Sequence, residues 1–181
     1  MAFTTLSDDD VKEFWRLSGI YWREAKRCEG AGAYLAGCVM IGSALETLLC
    51  LMVDAHDEEA ERTGKLPVRR GKPKPLLNWD LGELLRVAKA AGWLPSALDH
   101  EHDKWDGRKA HIGDHAEVLR ELRNLVHPGR YRKAHFRRRV TARYLRWQFE
   151  VALLCRDWLA HHNNEALRER LRAAETEPPH R

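Results

Sequence analysis

The 181-residue sequence has few cysteines, and its glycines and prolines are confined to a few places. Its four cysteines form no Cys-x-x-Cys pair, which argues against a disulfide framework and favours a reduced compartment. Glycine and proline do not recur as the frequent turns that a protein of short strands would need. The chain does not begin with a basic segment followed by an apolar run, so we expect no targeting signal and a cytoplasmic location.

Apolar residues instead recur every three or four positions, which predicts an all-α protein. The length suits one domain with a sizeable core, so we predict a single antiparallel bundle of about five to six helices over 1–181, with a polar tail at 173–181. Ser7 and Asp80 are the predicted N-caps of the first and third helices. The predicted helices cover residues 8–28, 32–62, 80–91, 95–105, 113–127 and 138–161. The basic, proline-containing segment 63–78 is a predicted surface loop.

The second predicted helix is apolar enough to raise the question of a membrane. Ala33 to Val53 contains a single charged residue, Glu46, and approaches the length that spans a bilayer. Because Glu46 would be costly in lipid and the flanking sequence is amphipathic, a central helix buried on all sides explains the segment better. We therefore predict no membrane contact, a long second helix at the centre of the bundle, and Glu46 as a structural acid paired with an arginine.

Helix 113–127 is predicted to carry two different faces, at about 100° of rotation per residue. One face is apolar and consists of Val118, Leu119, Leu122, Leu125 and Val126. Arg120, Arg123, Asn124 and His127 gather on the opposite face. A polar face opposite an apolar stripe is typical of any surface helix. However, each arginine lies on a turn that stacks with His127, so the side chains can converge on one phosphate.

The segment Arg-Asn-Leu-Val-His-Pro at 123–128 resembles the motif of HEPN domains (higher eukaryotes and prokaryotes nucleotide-binding), which are antiparallel helical bundles with an Arg-x4–6-His signature. Ala44-Leu45-Glu46 and the segment 81–85 are weaker similarities, and the resemblance covers roughly residues 15–160. Six residues separate Arg120 from His127, which is the family spacing, whereas only three separate Arg123 from His127. Either arginine can therefore correspond to the family residue.

The resemblance implies a function as well as a fold. Active family members cleave RNA without a metal, at a site where two copies of the motif face each other across a homodimer. We therefore expect a metal-independent endoribonuclease, with Arg120, Arg123, Asn124 and His127 as its catalytic residues. The resemblance implies a toxin or defence effector as one role for such an enzyme. It would need no cofactor and could have an antitoxin or other partner protein. Other family members are not catalytic, so the alternative is a helical module that binds a nucleotide or another protein.

A basic run surrounds the motif. Between Leu122 and Phe149 there is no Asp or Glu, but there are nine Lys or Arg residues. Aromatic residues lie between them, a combination that suits the phosphates and stacked bases of single-stranded RNA, although a charged run can also be only a solvated surface. The candidate RNA-binding residues are Arg130, Arg132, Lys133, Arg137, Arg138, Arg139, Arg143 and Arg146.

Four histidines invite a metal interpretation, namely His100, His102, His111 and His115. His111 and His115 are one helical turn apart, but such a pair alone is a weak signal for a metal. His115 is also predicted to point toward the apolar face of its helix. We therefore predict no metal site at these residues.

Overall fold

The computed structural model describes residues 3–99, 103–135 and 140–176. Over these ranges the chain forms the predicted all-α bundle, but with seven helices instead of about five to six. The helices are α1 (Asp8–Gly30), α2 (Tyr34–Ala55), α3 (Asp57–Arg62), α4 (Leu81–Ala90), α5 (Ile112–Arg123), α6 (Pro128–His135) and α7 (Ala142–Thr176). The predicted surface loop contains a small antiparallel hairpin of β1 (Val68–Arg69) and β2 (Lys72–Pro73).

Helix α2 is the centre of the bundle and packs against α1, α4, α5 and α7. Its residues Ile41, Leu45, Leu49 and Val53 are spaced by one turn and are at most 1% exposed. By length and composition α2 could cross a membrane, but 67% of its most apolar window is buried inside the bundle. Burial of this kind is what the core helix of a bundle requires, so the apolar character of α2 has a structural explanation.

Two of the helices begin at the predicted caps. The Ser7 side chain accepts a hydrogen bond from the backbone N–H of Asp10, whose carboxylate in turn accepts from the N–H of Ser7. Asp80 and Glu83 form the same reciprocal arrangement at the start of α4. These capping boxes satisfy backbone donors that the first turn of a helix leaves without a partner.

Two glycines allow helices to approach each other closely. A Cβ atom on Gly42 of α2 would lie 2.4 Å from Cγ of Arg123, so the arginine stem crosses the bare backbone of α2. A Cβ atom on Gly113 of α5 would lie 2.6 Å from the carbonyl oxygen of Leu94. Contacts this short exclude any larger residue without a shift of the backbone, so Gly42 and Gly113 set the position of α5.

Three predicted helices differ from the structure. The predicted helix 32–62 breaks at His56, whose φ of −129° and ψ of 42° end α2 before α3 begins. The predicted helix 95–105 is not helical in its described part, because the backbone N–H groups of Ala97 and Leu98 bond to Asp114 instead. The last helix continues well beyond residue 161, to Thr176, so the first part of the predicted polar tail is helical.

The predicted helix 113–127 also ends earlier than expected. Helix α5 stops at Arg123, and Asn124–Val126 form a single 3-10 turn. Pro128 and Gly129 were expected to stop this helix, but α5 has already ended at Arg123, and Pro128 and Gly129 are the first two residues of α6. Proline is well suited to a first helical position, because the N–H that it lacks would have no partner there.

Candidate functional site

The beginning of α5 is anchored by a buried carboxylate. Asp114 is 0% exposed and accepts hydrogen bonds from the backbone N–H groups of His111 (2.8 Å), Ala97 (2.9 Å) and Leu98 (3.2 Å), and from the Ser96 hydroxyl. Burial acts to raise the pKa of Asp114, but these hydrogen bonds outweigh it and hold the pKa well below its usual range. The first turn of α5 is therefore fixed to the segment that precedes it.

The end of α5 is held by an ion pair with the central helix. Arg123 crosses Gly42, and its Nη2 donates to Oε2 of Glu46 at 2.8 Å. Burial raises the pKa of Glu46, and Arg123 and the backbone N–H of Leu81 only partly offset this effect. Glu46 therefore links α2 to the end of α5 and the start of α4, which is the arginine pairing predicted for it from the sequence.

Arg120 belongs to a different ion-pair network. Its Nε donates to Oε2 of Glu117 at 2.7 Å, while Lys89 of α4 donates to the other oxygen of the same carboxylate at 2.7 Å. Burial acts to raise the pKa of Glu117, but the two cations lower it below its usual value. Glu117 thus joins α5 to α4 through Lys89 and also holds Arg120, whose side chain, like that of Arg123, is only about a quarter exposed (26% and 27%).

His127 is in a different position from the one expected. It was predicted to end a continuous helix, but it has an extended backbone between the 3-10 turn and α6. Its carbonyl accepts from the N–H groups of Arg130 (3.0 Å) and Tyr131 (2.9 Å), so it begins α6. Its side chain is exposed to solvent.

The predicted polar face is therefore divided. Arg120, Arg123 and Asn124 lie partly buried against the bundle, and Asn124 Oδ1 is 3.5 Å from Nη1 of Arg123. Of the four predicted catalytic residues, His127 alone is classed as exposed. Val126, which was predicted to lie on the apolar face, is 53% exposed because the 3-10 turn changes its direction. The structure shows Arg123 and Asn124 together and Arg120 with Glu117.

The candidate RNA-binding residues that the structure describes are on the surface. Those residues are Arg130, Arg132 and Lys133 of α6, and Arg143 and Arg146 of α7, all of which are exposed. Among the side chains that the structure describes, none of the five forms an ion pair. Arg137, Arg138 and Arg139 lie outside the described residues. Helix α6 and the start of α7 therefore present cations that no acid of the described residues pairs with.

An aromatic cleft lies beside Arg143, one of these cations, and the sequence did not reveal it. The rings of Trp105 and Trp147 stand at 5.2 Å and 5.8 Å from the His115 ring, both edge-on. Tyr144 and Arg143 also line the cleft, which has a volume of about 700 Å³. One acid, Glu121, is among its lining residues. The spacing of His115 along α5 and of Tyr144 and Trp147 along α7 could have indicated part of this cleft. The position of Trp105 could not be predicted, because it lies in an irregular segment.

The four histidines considered for a metal do not form a cluster in the described part of the chain. His111 is the N-cap of α5, and His115 packs between two tryptophans. His100 and His102 lie outside the described residues. A different group, His56, Glu59 and His162, places its ligand atoms within 4.8 Å of one another. Its sequence signal was the pair His56-x-x-Glu59, but the third member is more than a hundred residues away.

Three of the four cysteines are buried in the core. Burial raises the pKa of the Cys38, Cys50 and Cys155 thiols to about 12. A thiol with so high a pKa is a poor nucleophile and a poor metal ligand at neutral pH. These residues act as small apolar side chains of the core.

The fold and the site define a class of protein, an all-α bundle with a motif histidine beside a basic helix. No protein-family model, curated protein or solved structure matches the chain. The resemblance to HEPN domains therefore stays a prediction from the motif residues.

Proposed function

We propose that the chain is a metal-independent HEPN-like endoribonuclease that acts as a homodimer on single-stranded RNA. The observation that carries the proposal is the position of His127. It is exposed, it follows Arg123 by one turn, and it directly precedes the exposed basic helix α6. A phosphate bound at the start of α6 would meet the imidazole of His127 and exposed cations in the same region.

The chemistry would be transesterification within the RNA. His127 would remove the proton of the ribose 2′-hydroxyl, the 2′ oxygen would attack the adjacent phosphorus, and the bond to the 5′ oxygen would break. The products are a 2′,3′-cyclic phosphate and a 5′-hydroxyl. Because RNA supplies its own nucleophile, the protein needs to supply only proton transfer and charge stabilisation.

The arginines would stabilise the charge of the pentacoordinate phosphorus, and Asn124 would orient the substrate or the histidine. Glu46 supports Arg123 in this role, because an arginine held by an ion pair loses less entropy when it binds a phosphate. Both arginines are held by ion pairs, but only Arg123 contacts Asn124, so we assign Arg123 to the reaction and Arg120 to substrate binding.

A homodimer would complete the site. One imidazole cannot remove the 2′ proton and protonate the leaving 5′ oxygen at the same moment, but two copies of His127 could divide these tasks. The partly buried arginines leave His127 as the exposed member of the motif, so a second copy could approach it without displacing the ion pairs. The aromatic cleft would stack the bases on either side of the cleaved phosphate.

A second function, a non-catalytic helical module that binds a nucleotide or a partner protein, is favoured by one observation. Both motif arginines already form ion pairs within the chain, and stabilisation of the fold could be their only role. In that case the exposed basic surface of α6 would bind an acidic partner without any chemistry.

Incubation of the purified chain with single-stranded RNA oligonucleotides in excess EDTA tests the proposal. We expect cleavage to products that end in a 2′,3′-cyclic phosphate, and light scattering at micromolar concentration should give the mass of a dimer. RNA that stays intact, whatever its sequence, would overturn the ribonuclease and leave the binding module. A strict monomer that still cleaves RNA would overturn the composite site alone.

A further inference from the structure

A cluster of two histidines and a glutamate lies where α2 ends. His56 is the residue at which α2 breaks, Glu59 follows one turn later in α3, and His162 approaches from α7. One ligand atom from each side chain lies within 4.8 Å of the other two. The cluster therefore joins three helices, and it takes no part in the function proposed above.

The buried histidine of this cluster has a nitrogen without a partner. His56 is 3% exposed, and its Nε2 lies 3.1 Å from Oδ1 of Asn163. An amide oxygen only accepts hydrogen bonds, so Nε2 carries the proton and the neutral ring presents a lone pair at Nδ1. That Nδ1 atom is buried and has no hydrogen-bond partner, although it faces Oε1 of Glu59 at 3.4 Å.

The buried lone pair of His56 Nδ1 faces a carboxylate oxygen of Glu59. This contact is unfavourable, because both atoms are electron-rich. A cation between them removes the repulsion. A second proton on His56 could do this, and so could a metal ion. The hydrogen bond from Nε2 to Asn163 is the supporting contact that metal-binding histidines use to fix the ring and its tautomer.

The carboxylate of Glu59 is also held in a fixed position. Oε2 of Glu59 accepts from the indole N–H of the fully buried Trp93 at 2.8 Å and lies 3.2 Å from Nε2 of His162. One carboxylate oxygen therefore lies beside each imidazole, and the indole N–H fixes the orientation of the group.

The spacing between each imidazole and the carboxylate suits a small metal ion. With bonds of about 2.0 to 2.1 Å, ligand atoms around zinc lie about 3.3 Å apart. Nδ1 of His56 is 3.4 Å from Oε1 of Glu59, and Nε2 of His162 is 3.2 Å from Oε2 of the same carboxylate. The side chains of Glu59 and His162 are 29% and 31% exposed, so the fourth position of such an ion would face solvent and hold water.

We propose that His56, Glu59 and His162 bind a divalent transition-metal ion of the zinc class, with Asn163 and Trp93 orienting two of the ligands. Two imidazoles and a carboxylate are a donor set suited to zinc and not to magnesium or calcium, which prefer oxygen ligands. The ion would tie the break between α2 and α3 to α7. His56 is ten residues beyond Glu46 along α2, about 15 Å, so this site is separate from the Arg123 and His127 motif.

Calorimetric titration of the EDTA-treated full chain with Zn²⁺ tests the proposal. We expect one ion per chain, with affinity reduced by at least about 100-fold in His162→Ala and Glu59→Gln, because each removes a ligand, and by about tenfold in Asn163→Ala. His161→Ala, at the exposed neighbouring position of α7, is the matched control and should bind as the wild type does. Zn²⁺ should raise the melting temperature of the wild type and of His161→Ala but not of His162→Ala.

The proposal is overturned if the wild type binds no Zn²⁺, or if His162→Ala and Glu59→Gln both bind it as tightly as the wild type does. Circular dichroism identifies any variant that does not fold, and Glu59→Gln, which keeps the shape of the side chain, then carries the test. RNA cleavage is a separate readout. Its presence or absence in EDTA bears on the motif at His127 and not on this site.

Discussion

The two ends of α5 are built in opposite ways. At its beginning, Asp114 is completely buried and bonded to backbone groups of the preceding segment. At its end, the helix gives way to a 3-10 turn, and His127 is exposed between two elements. Arg123, the last residue of α5, is fixed to α2 by Glu46, and the accessible part of the chain begins beyond it. The first turn of α5 is thus fixed, whereas the residues that follow its end are accessible to solvent. A functional group that must be both positioned and reachable requires this arrangement.

The contrast also separates polar groups that hold the fold from those that are available for chemistry. Asp114, Glu117 and Glu46 all have partners within the chain. Arg130, Arg132, Lys133, Arg143 and Arg146, by contrast, are exposed and form no ion pair among the described side chains. If the contrast is correct, substitutions at the beginning of α5 should reduce stability, and substitutions at its end should reduce activity.

The largest effect on activity is expected at His127, beyond the end of α5. His127→Ala should reduce RNA cleavage by about 10² to 10⁴-fold, because general acid–base catalysis contributes about that much. Folding, dimerisation and RNA affinity should change little, since the side chain is exposed. Cleavage rates under single-turnover conditions measure the effect, and His135→Ala in the same basic region is the control. Wild-type cleavage by His127→Ala would assign the chemistry to another residue.

The next effect concerns the two arginines. Arg123→Ala should reduce the cleavage rate by about a hundredfold, as expected for loss of a positioned charge, whereas Arg120→Ala should mainly weaken RNA binding. Because Arg123→Ala also leaves Glu46 without its cation, the variant Arg123→Ala/Glu46→Gln should recover stability but not activity. Full activity in that double variant would show that Arg123 has only a structural role.

At the beginning of α5 the expected effect is on stability. Asp114→Asn should lower the free energy of unfolding by about 2 kcal/mol at pH 7, since the hydrogen bonds then go to a neutral acceptor. The native pKa of Asp114 is lowered, so its contribution is present above its ordinary value of 3.8 and is lost as the pH falls below it. Urea unfolding between pH 7 and pH 3.5 should therefore show a difference between wild type and variant that shrinks in acid.

A matched control for that measurement is Glu121→Gln, an exposed residue of the same helix. It should change the free energy of unfolding by less than about 0.5 kcal/mol at either pH. A difference between wild type and Asp114→Asn that stays constant down to pH 3.5 would contradict the ionised, hydrogen-bonded state of Asp114.

The smallest effect is expected on the surface of α6. Arg132→Gln and Lys133→Gln should each weaken RNA binding severalfold and reduce the dependence of log affinity on log salt by slightly less than one per phosphate contact. Binding isotherms at several salt concentrations measure both quantities. Lys12→Gln, an exposed cation of α1, should leave the salt dependence unchanged. An equal change in all three variants would mean that the chain binds RNA through its overall charge.

Much of the fold could be predicted from the sequence, because it depends on local patterns. The spacing of apolar residues predicts α1, α2 and α4, and the short side chains of Ser7 and Asp80 identify two helix starts. The central position of the second helix follows from its apolar composition alone. The pairing of Glu46 with a motif arginine could be expected too, since a buried acid in an apolar helix requires a cation.

What could not be predicted depends on contacts between distant segments. The segment at 95–99 is irregular because Asp114 takes its N–H groups, and periodicity gives no sign of this. The helix wheel assumes a continuous α5, so it gave the wrong exposure for Val126 and the wrong setting for His127. The cluster at His56 and the aromatic cleft are assembled from residues far apart in the sequence, and no spacing rule finds such groups.

The close approach of Gly42 and Arg123 has a consequence for how relatives of this chain can be recognised. A Cβ atom at residue 42 would collide with the stem of the arginine and not with its flexible end, so the two positions cannot vary independently. A substitution of Gly42 should be tolerated only together with a shorter residue at 123. Glu46 would then have no arginine to pair with, so an acidic residue would no longer be favoured at that position. In diverged sequences these three positions should change as one unit, which offers a signature that links two segments about eighty residues apart.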